Sequence, residues 1–459
     1  MAYRSLTGAR RFAALAASAG LLFAACGSSA TPSPSQSSAP STGATESPAA
    51  TAAETAAAST GASGGKVTVI GTWSGSEQES FLAMVKPFED STGIKVSYTG
   101  TRNIDAVLTT GVASGILPDL AGLPGPGQMA EYAKAGALKP LDSVLDIASY
   151  TADTSPGLVA LGTVDGKVTG VFIKAAVKGL IWYNPKVYTG GQPTTWDDLQ
   201  AKATAAATAA GPGAKPWCVG LESGAASGWP GTDWIEDLVL RQAGPDVYDK
   251  WVAGTQKWSS PEIKAAFQAF GTIVSDANVY GGSKYVLSTN FGDGGDQLFK
   301  TPPGCIFHHQ ASFITDFFQK QGGAKPGDYD FYPFPDINPS YAGAVEGAGD
   351  LFGMFNDTPQ ARALIKYLVT PEAQAIWVGR GGALSANSKV TNYPDDVSKR
   401  SAAIIAGAKI FRFDASDSMP AAMNSAFEAA LLDFTKNPTK IDSILSGLDQ
   451  VQTSAYGGS

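Results

Sequence analysis

Nine tryptophans stand in this chain, the first of them at position 73. Flat rings can cover the apolar C–H faces of a sugar, while carboxylates and amides accept hydrogen bonds from its hydroxyl edges. Two stretches combine those residue types in glycine-flanked loops: Trp73 with Ser74 and Glu77, and Gly228-Trp229-Pro230-Gly231-Thr232-Asp233-Trp234. Trp182, Trp251 and Trp377 fall in strand or helix patterns and read as core. Asp350 is an isolated charge at the lip of an apolar run, where a carboxylate must be paired or face a cleft. Asp119 opens a short strand, and for it, as for Glu77, Asp233 and Asp350, helix capping is the alternative reading. Arg102 and Arg380 could donate to hydroxyls in a cleft, or be solvated at the surface. His308 and His309 are the only histidines. Adjacent strand residues point to opposite faces, so at most one faces a cleft, and no metal pair is expected of them. Phe313, three positions after Gln310, is a candidate stacking ring.

These residues need elements to hold them. Val67 to Ile70 is an apolar, β-branched run, and Ser76 with Glu79 has the spacing of a capping box. Phe81, Met84, Val85 and Phe88 follow at i, i+3, i+4 and i+7, one apolar face of a helix in which Pro87 is expected to kink the last turn. Gly93 supplies a left-handed stop, and Ile94 to Tyr98 is the returning strand. This βαβ unit places Trp73 at the carboxyl end of a strand, where open α/β sheets hold ligands. Gly61 to Gly65 matches G-x-S-x-G without a strand before it, and Gly162 to Lys167 is one residue short of a phosphate loop. Neither carries weight.

Arg4, Arg10 and Arg11 precede the uncharged run Phe12 to Ala25, a secretory leader too short to span a bilayer permanently. Cys26 follows within Phe23-Ala24-Ala25-Cys26, which resembles a lipobox whose cysteine is acylated; an unlipidated exported protein is the alternative. From Gly27 to Gly65 the composition collapses to Ala, Ser, Thr, Pro and Gly, with only Glu46 and Glu54 charged, a predicted disordered tether. The remainder is longer than one core usually holds, so two domains are expected. The net charge of -8 argues against nucleic acid as a partner. Cys218 and Cys305 remain, and in an oxidising compartment they would form one disulfide, two free thiols being the alternative.

The ordered segments resemble the family 1 extracellular solute-binding proteins of ABC sugar importers. The residues that carry this are Trp73; Phe88-Glu89; Gly93-Ile94-Lys95-Val96; Pro118-Asp119-Leu120; Leu180-Ile181-Trp182-Tyr183-Asn184; and Pro193 to Leu199. Further along come Trp258 to Glu262, Gly349-Asp350 and Tyr367 to Gln374. The Gly100-Thr101-Arg102-Asn103 loop and the cysteine pair are most similar to the α-glucoside-binding members. The resemblance implies an α/β, two-lobed periplasmic-binding-protein fold of type II, each lobe a sheet flanked by helices and the two joined by a hinge. It divides the chain into a leader (1–25), a tether (26–65), a first lobe (66–172 and 303–333) and a second lobe (173–302 and 334–459). It also implies a carbohydrate ligand, ABC permease subunits as partners, a monomer with no cofactor, and a position outside the cytoplasmic membrane reached only through a lipid on Cys26. Trp73, Ser74, Glu77, Arg102, Asp119, Trp229, Asp233, Trp234, His308, Phe313, Asp350 and Arg380 are then the expected ligand-binding set. A glycoside-active enzyme using Glu77 and Asp350, and the same fold holding an amino acid or another solute, are the competing readings.

Overall fold

The computed structural model describes residues 64–320 and 322–457; the leader, Cys26 and the tether up to residue 63 lie outside them. The first unit forms as its pattern dictates. Strand β1 (Lys66–Gly71) runs into helix α1 (Ser76–Thr92), which returns as β2 (Lys95–Gly100), parallel to β1 with Lys66 opposite Lys95. Gly93 closes α1 in the left-handed region at φ 71°, and the helix runs through Pro87 to Thr92. The capping box does not form: Gly75 is the cap residue, and Ser76, already inside the helix, keeps its buried hydroxyl without a partner.

Helix α2 (Ile104–Ser114), β3 (Leu120–Leu123) and helix α3 (Pro126–Lys134) follow. The remaining strands are the small hairpin β4 (Thr163–Val164) and β5 (Lys167–Val168), β6 (Gly170–Val177), β7 (Leu180–Tyr183), β8 (Lys215–Cys218), β9 (Cys305–Gln310), β10 (Asp330–Pro333), β11 (Ala344–Met354) and β12 (Ile410–Phe413). They build two main sheets. The first has the order β12-β11-β3-β1-β2, with β6 also paired to β11, and the second has the order β10-β7-β9-β8.

This pairing corrects the expected division of the chain. Residues 303–333, expected in the first lobe, lie with the second: β9 pairs with β7 and β8, and β10 pairs with β7, all in the second sheet. Conversely β11 and β12, from the stretch assigned to the second lobe, belong to the first sheet. Cys218 and Cys305 therefore sit on neighbouring strands of one sheet and form a disulfide with Cα atoms 5.5 Å apart. It ties β8 to β9 and does not cross the hinge.

Each sheet has its own apolar packing. Phe81, Met84 and Phe88 of α1 meet Val67, Val69 and residues of the helices Pro359–Leu368 and Pro371–Arg380. On the second sheet, Ile181, Trp217 and Phe307 pack with the helices Trp229–Gln242, Pro261–Ile273 and Ala421–Lys436. The chain passes between the sheets at Lys178-Gly179, between β10 and β11, and at Asp414 after β12. No helix among the described residues is long and apolar enough to cross a membrane.

Candidate functional site

A cavity of 330 Å³ opens at the carboxyl ends of β1 and β3, where Thr72, Trp73, Pro124 and Gly125 lead away from the sheet. Strand β6 crosses its floor. Residues two apart on a strand share a face, so Lys174, Ala176 and, one step past the strand end, Lys178 all line the cavity.

Lys174 holds two carboxylates. Its Nζ lies 2.8 Å from Glu77 and 3.2 Å from Asp350, and Arg102 stands 3.6 Å from the other Glu77 oxygen. The β6–β11 register slips between Asp350 and Leu351, and this irregularity sets Asp350 opposite Lys174. Burial pushes the Glu77 carboxyl up, but Lys174 and Arg102 more than offset this and hold it below the ordinary value. Asp350 is raised, because burial there outweighs Lys174 and the neighbouring Glu77 charge adds to it. Lys174 also lies 4.8 Å from the Trp377 ring and 5.6 Å from the Trp73 ring.

The second lysine, Lys178, pairs with Asp233 at 2.7 Å and Asp414 at 2.8 Å. Burial pushes Asp233 up to about 7 despite that partner. Oxygens of Asp233, Glu346 and Asp414 lie within 4.8 Å of one another, a geometry three metal ligands could share, and the Lys178 ammonium already supplies its positive charge.

The aromatic wall comes from three elements. Trp229 lies 5.0 Å from Phe291 and 6.0 Å from Phe313, and Arg102 covers Phe291 at 4.8 Å. The indole N–H groups of Trp229 and Trp73 are buried without a partner among the described residues. Trp73 is only 1% exposed, enclosed by Phe81, Tyr98, Phe352 and Trp377, so it offers an edge to the cavity and spends its faces on the core.

The structure thus brings seven of the twelve expected residues to this cavity: Trp73, Glu77, Arg102, Trp229, Asp233, Phe313 and Asp350. The other five stand elsewhere. Asp119 precedes β3 at the amino end of the sheet, away from the cavity, and accepts from the Thr68 amide and hydroxyl at 2.8 Å each. Trp229 and Asp233 share a helix face at i and i+4, which turns Trp234 away into the core against His309. His308 and His309 do point apart: Nδ1 of His308 meets the Cys218 carbonyl, and Nε2 of His309 meets Asp237, so neither reaches the cavity. Burial pushes His308 down to about 4. Arg380 is exposed and donates to Ser80, and Ser74 is exposed outside the lining.

Sequence reasoning missed Lys174, Lys178, Asp105, Gln128, Asp414, Ser416, Asp417, Asn424 and Glu428, all of which line the cavity. For the lysines a signal existed, two charges on the same face of an otherwise apolar strand. For the others, supplied by helices and by the crossing after β12, no local pattern marks the role.

Two sheets with separate cores, crossed by the chain and flanking one cavity, define a two-lobed periplasmic binding protein. A model of the bacterial extracellular solute-binding protein family matches residues 74–375. The chain belongs to that family. It is 37% identical over 376 residues to the osmoprotective compounds-binding protein GgtB of Synechocystis sp., which spans 80% of this chain and 88% of that protein. It is 35% identical over 398 residues to the alpha-glucosides-binding periplasmic protein AglE of Rhizobium meliloti, covering 83% and 85% of the two chains. Among solved structures, a chitin oligosaccharide binding protein shares the fold with a TM-score of 0.75 at 21% identity, covering 86% of this chain and 99% of that one.

Proposed function

We propose that this protein captures a carbohydrate, an α-glucoside oligosaccharide, between its two lobes and delivers it to the permease subunits of an ABC importer. It does so as a monomer outside the cytoplasmic membrane, exported by its leader and anchored by a lipid on Cys26, with hinge closure and no covalent step. The observation that carries this reading is the composition of the cavity. Trp229, Phe291 and Phe313 offer apolar surface for sugar C–H faces, beside buried indole N–H groups and carboxylates that suit hydroxyls. The name of AglE supports an α-glucoside, and the name of GgtB supports a second reading in which the solute is an osmoprotective compound.

The enzyme reading has less support. Glu77 and Asp350 share one ammonium, so neither is free to attack an anomeric carbon or to give up a proton without breaking that pair.

Calorimetric titration of the purified full chain with maltose, trehalose, sucrose, maltodextrins and a set of amino acids tests the proposal. One saturable response to an α-glucoside is expected, with no reducing sugar released on prolonged incubation. Trp229→Ala should weaken that binding by about tenfold or more, the loss of one well-packed ring. Silence toward every sugar together with a response to an amino acid would overturn the carbohydrate assignment.

A further inference from the structure

Charge is distributed unevenly along the cavity. Its three cations, Arg102, Lys174 and Lys178, are all engaged with Glu77, Asp350, Asp233 and Asp414. The opposite end, between α2, α3 and the helix Ala421–Lys436, carries two more carboxyls, Asp105 and Glu428, while Asp417 stands one turn after Asp414, near Lys178. Among the described residues none of these three is ion-paired to a cation.

A second observation at that end concerns an amide. Gln128 donates its Nε2 to Asp105, which fixes the amide orientation and leaves Oε1 as an acceptor. That oxygen is buried and without a partner, on a side chain only 6% exposed that lines the cavity. Asn424, one helical turn before Glu428, likewise buries an unpartnered Oδ1. Buried polar groups without partners are costly, so an occupant is expected to donate to them. An anionic solute is disfavoured here, since no cation at this end is free to pair with it in a site of low dielectric. A hydroxyl brings a single donor and no charge, whereas a primary ammonium brings three donors and a positive charge that draws a carboxyl into its ionised form.

We propose that the preferred solute is a polyhydroxylated compound bearing a basic nitrogen, an amino sugar, whose ammonium sits between Asp105 and Glu428 at the acidic end of the cavity. This rests on the carbohydrate-binding reading and narrows its substrate class. Asp105 and Gln128 come from helices beside the first sheet, and Asn424 and Glu428 from a helix packed on the second, so one ammonium bridges both sides. A cation held this way favours the closed arrangement of the lobes over any in which the two sides part, as a ligand must if it is to drive closure. Burial first, and then the charge of Asp105, pushes Glu428 up to about 8. In the unliganded protein at neutral pH it holds a proton, and an arriving ammonium makes it release that proton.

The test is calorimetric titration of the full chain at pH 7.5 with two matched pairs of probes: trehalose against 6-amino-6-deoxytrehalose, and maltose against its 6′-amino-6′-deoxy counterpart. At least one amine should bind tenfold or more tightly than its neutral parent. Its apparent heat should differ between phosphate and Tris buffers in the sense of proton release, while the neutral sugar's heat does not. Glu428→Gln should reduce the amine-to-neutral affinity ratio to within threefold, and Asp105→Asn, on the other side, should do the same. Either variant with an unaltered melting profile suffices. Neutral sugars bound as tightly as the amines would overturn the amino-sugar proposal and leave the carbohydrate reading in place. If none of the four probes binds, the amino-sugar proposal falls, and the carbohydrate reading stands or falls by the titrations with sucrose and maltodextrins.

Discussion

Lys174 and Lys178 stand four residues apart, face the same cavity and are both buried, but their surroundings differ. Around Lys174 the charges balance: two cations, Lys174 and Arg102, meet two carboxylates, Glu77 and Asp350. Around Lys178 they do not. One ammonium faces Asp233 and Asp414, with Glu236 and Glu346 immediately behind, both 0% exposed, and neither Glu346 oxygen has a partner. Burial, followed by the neighbouring carboxylates, pushes Glu236 and Glu346 well above the ordinary carboxyl value. A buried carboxyl can be neutralised by an ion pair or by a proton; the first cluster uses pairs and the second uses protons as well. The second is also where the chain crosses between sheets. Lys178 directly follows β6, its amide donates to the Glu346 carbonyl near the start of β11, and Asp414 directly follows β12. Fixed charge pairs hold the Lys174 side of the cavity, and adjustable protonation lies at the joint.

The sharpest way to break this comparison is Lys178→Met. It removes the only ammonium that pairs with Asp233 and Asp414 among the described residues, and stranding a buried charge costs about 3–5 kcal/mol. A fall in melting temperature of roughly 4–6 °C is expected at pH 8. The fall should shrink at pH 5, where the stranded carboxyls can take up protons. A variant that melts within 2 °C of the parent at pH 8 would show that the ammonium does not hold the joint together.

Lys174→Met should be milder in stability and harsher in binding. Arg102 remains 3.6 Å from Glu77 to compensate part of the charge, so about 1–3 kcal/mol is expected. Glu77 and Asp350 then lose the ammonium that orients them toward the ligand, and affinity for the bound sugar should fall about tenfold or more. Melting and titration on the same preparation separate the two effects. If Lys174→Met proves the less stable variant while Lys178→Met is the poorer binder, the comparison is reversed.

The parts legible in the sequence were those set by neighbours along the chain. The β-branched run Val67–Ile70, the apolar face of Phe81, Met84, Val85 and Phe88, and the stop at Gly93 each correspond to an element of the structure. So does the placement of Trp73 beyond a strand's carboxyl end. What the sequence hid was long-range. Lys174 meets Glu77 from 97 positions away and Lys178 meets Asp233 from 55, and neither partner is recoverable from local periodicity. The same applies to β9, whose pairing with β7 decides to which sheet residues 303–333 belong. Asp119 misled for a different reason. A carboxylate beside a strand reads alike at either end, and only the direction of β3 shows that this one lies at the amino end.

The smallest expected effect is a pH dependence, and its sign follows from which state holds more protons. Asp233 is raised from 3.8 to about 7 and Glu428 from 4.5 to about 8, in each case chiefly by burial. A carboxyl raised in the folded state contributes stability that is complete below its unfolded value and is lost as pH rises through the folded value. His308, depressed from 6.5 to about 4 by burial, acts in the opposite sense, but its contribution is lost only as pH falls below 6.5. Between pH 6.5 and 8.5 the carboxyls therefore govern, and the melting temperature should decline by on the order of 2–4 °C. Glu428→Gln should flatten the upper part of that decline, since a neutral amide has no proton to lose. A melting temperature that stays level or rises over this interval would mean that the acidic end and the joint are ionised at neutral pH, and that both clusters, not one, are neutralised by fixed charge.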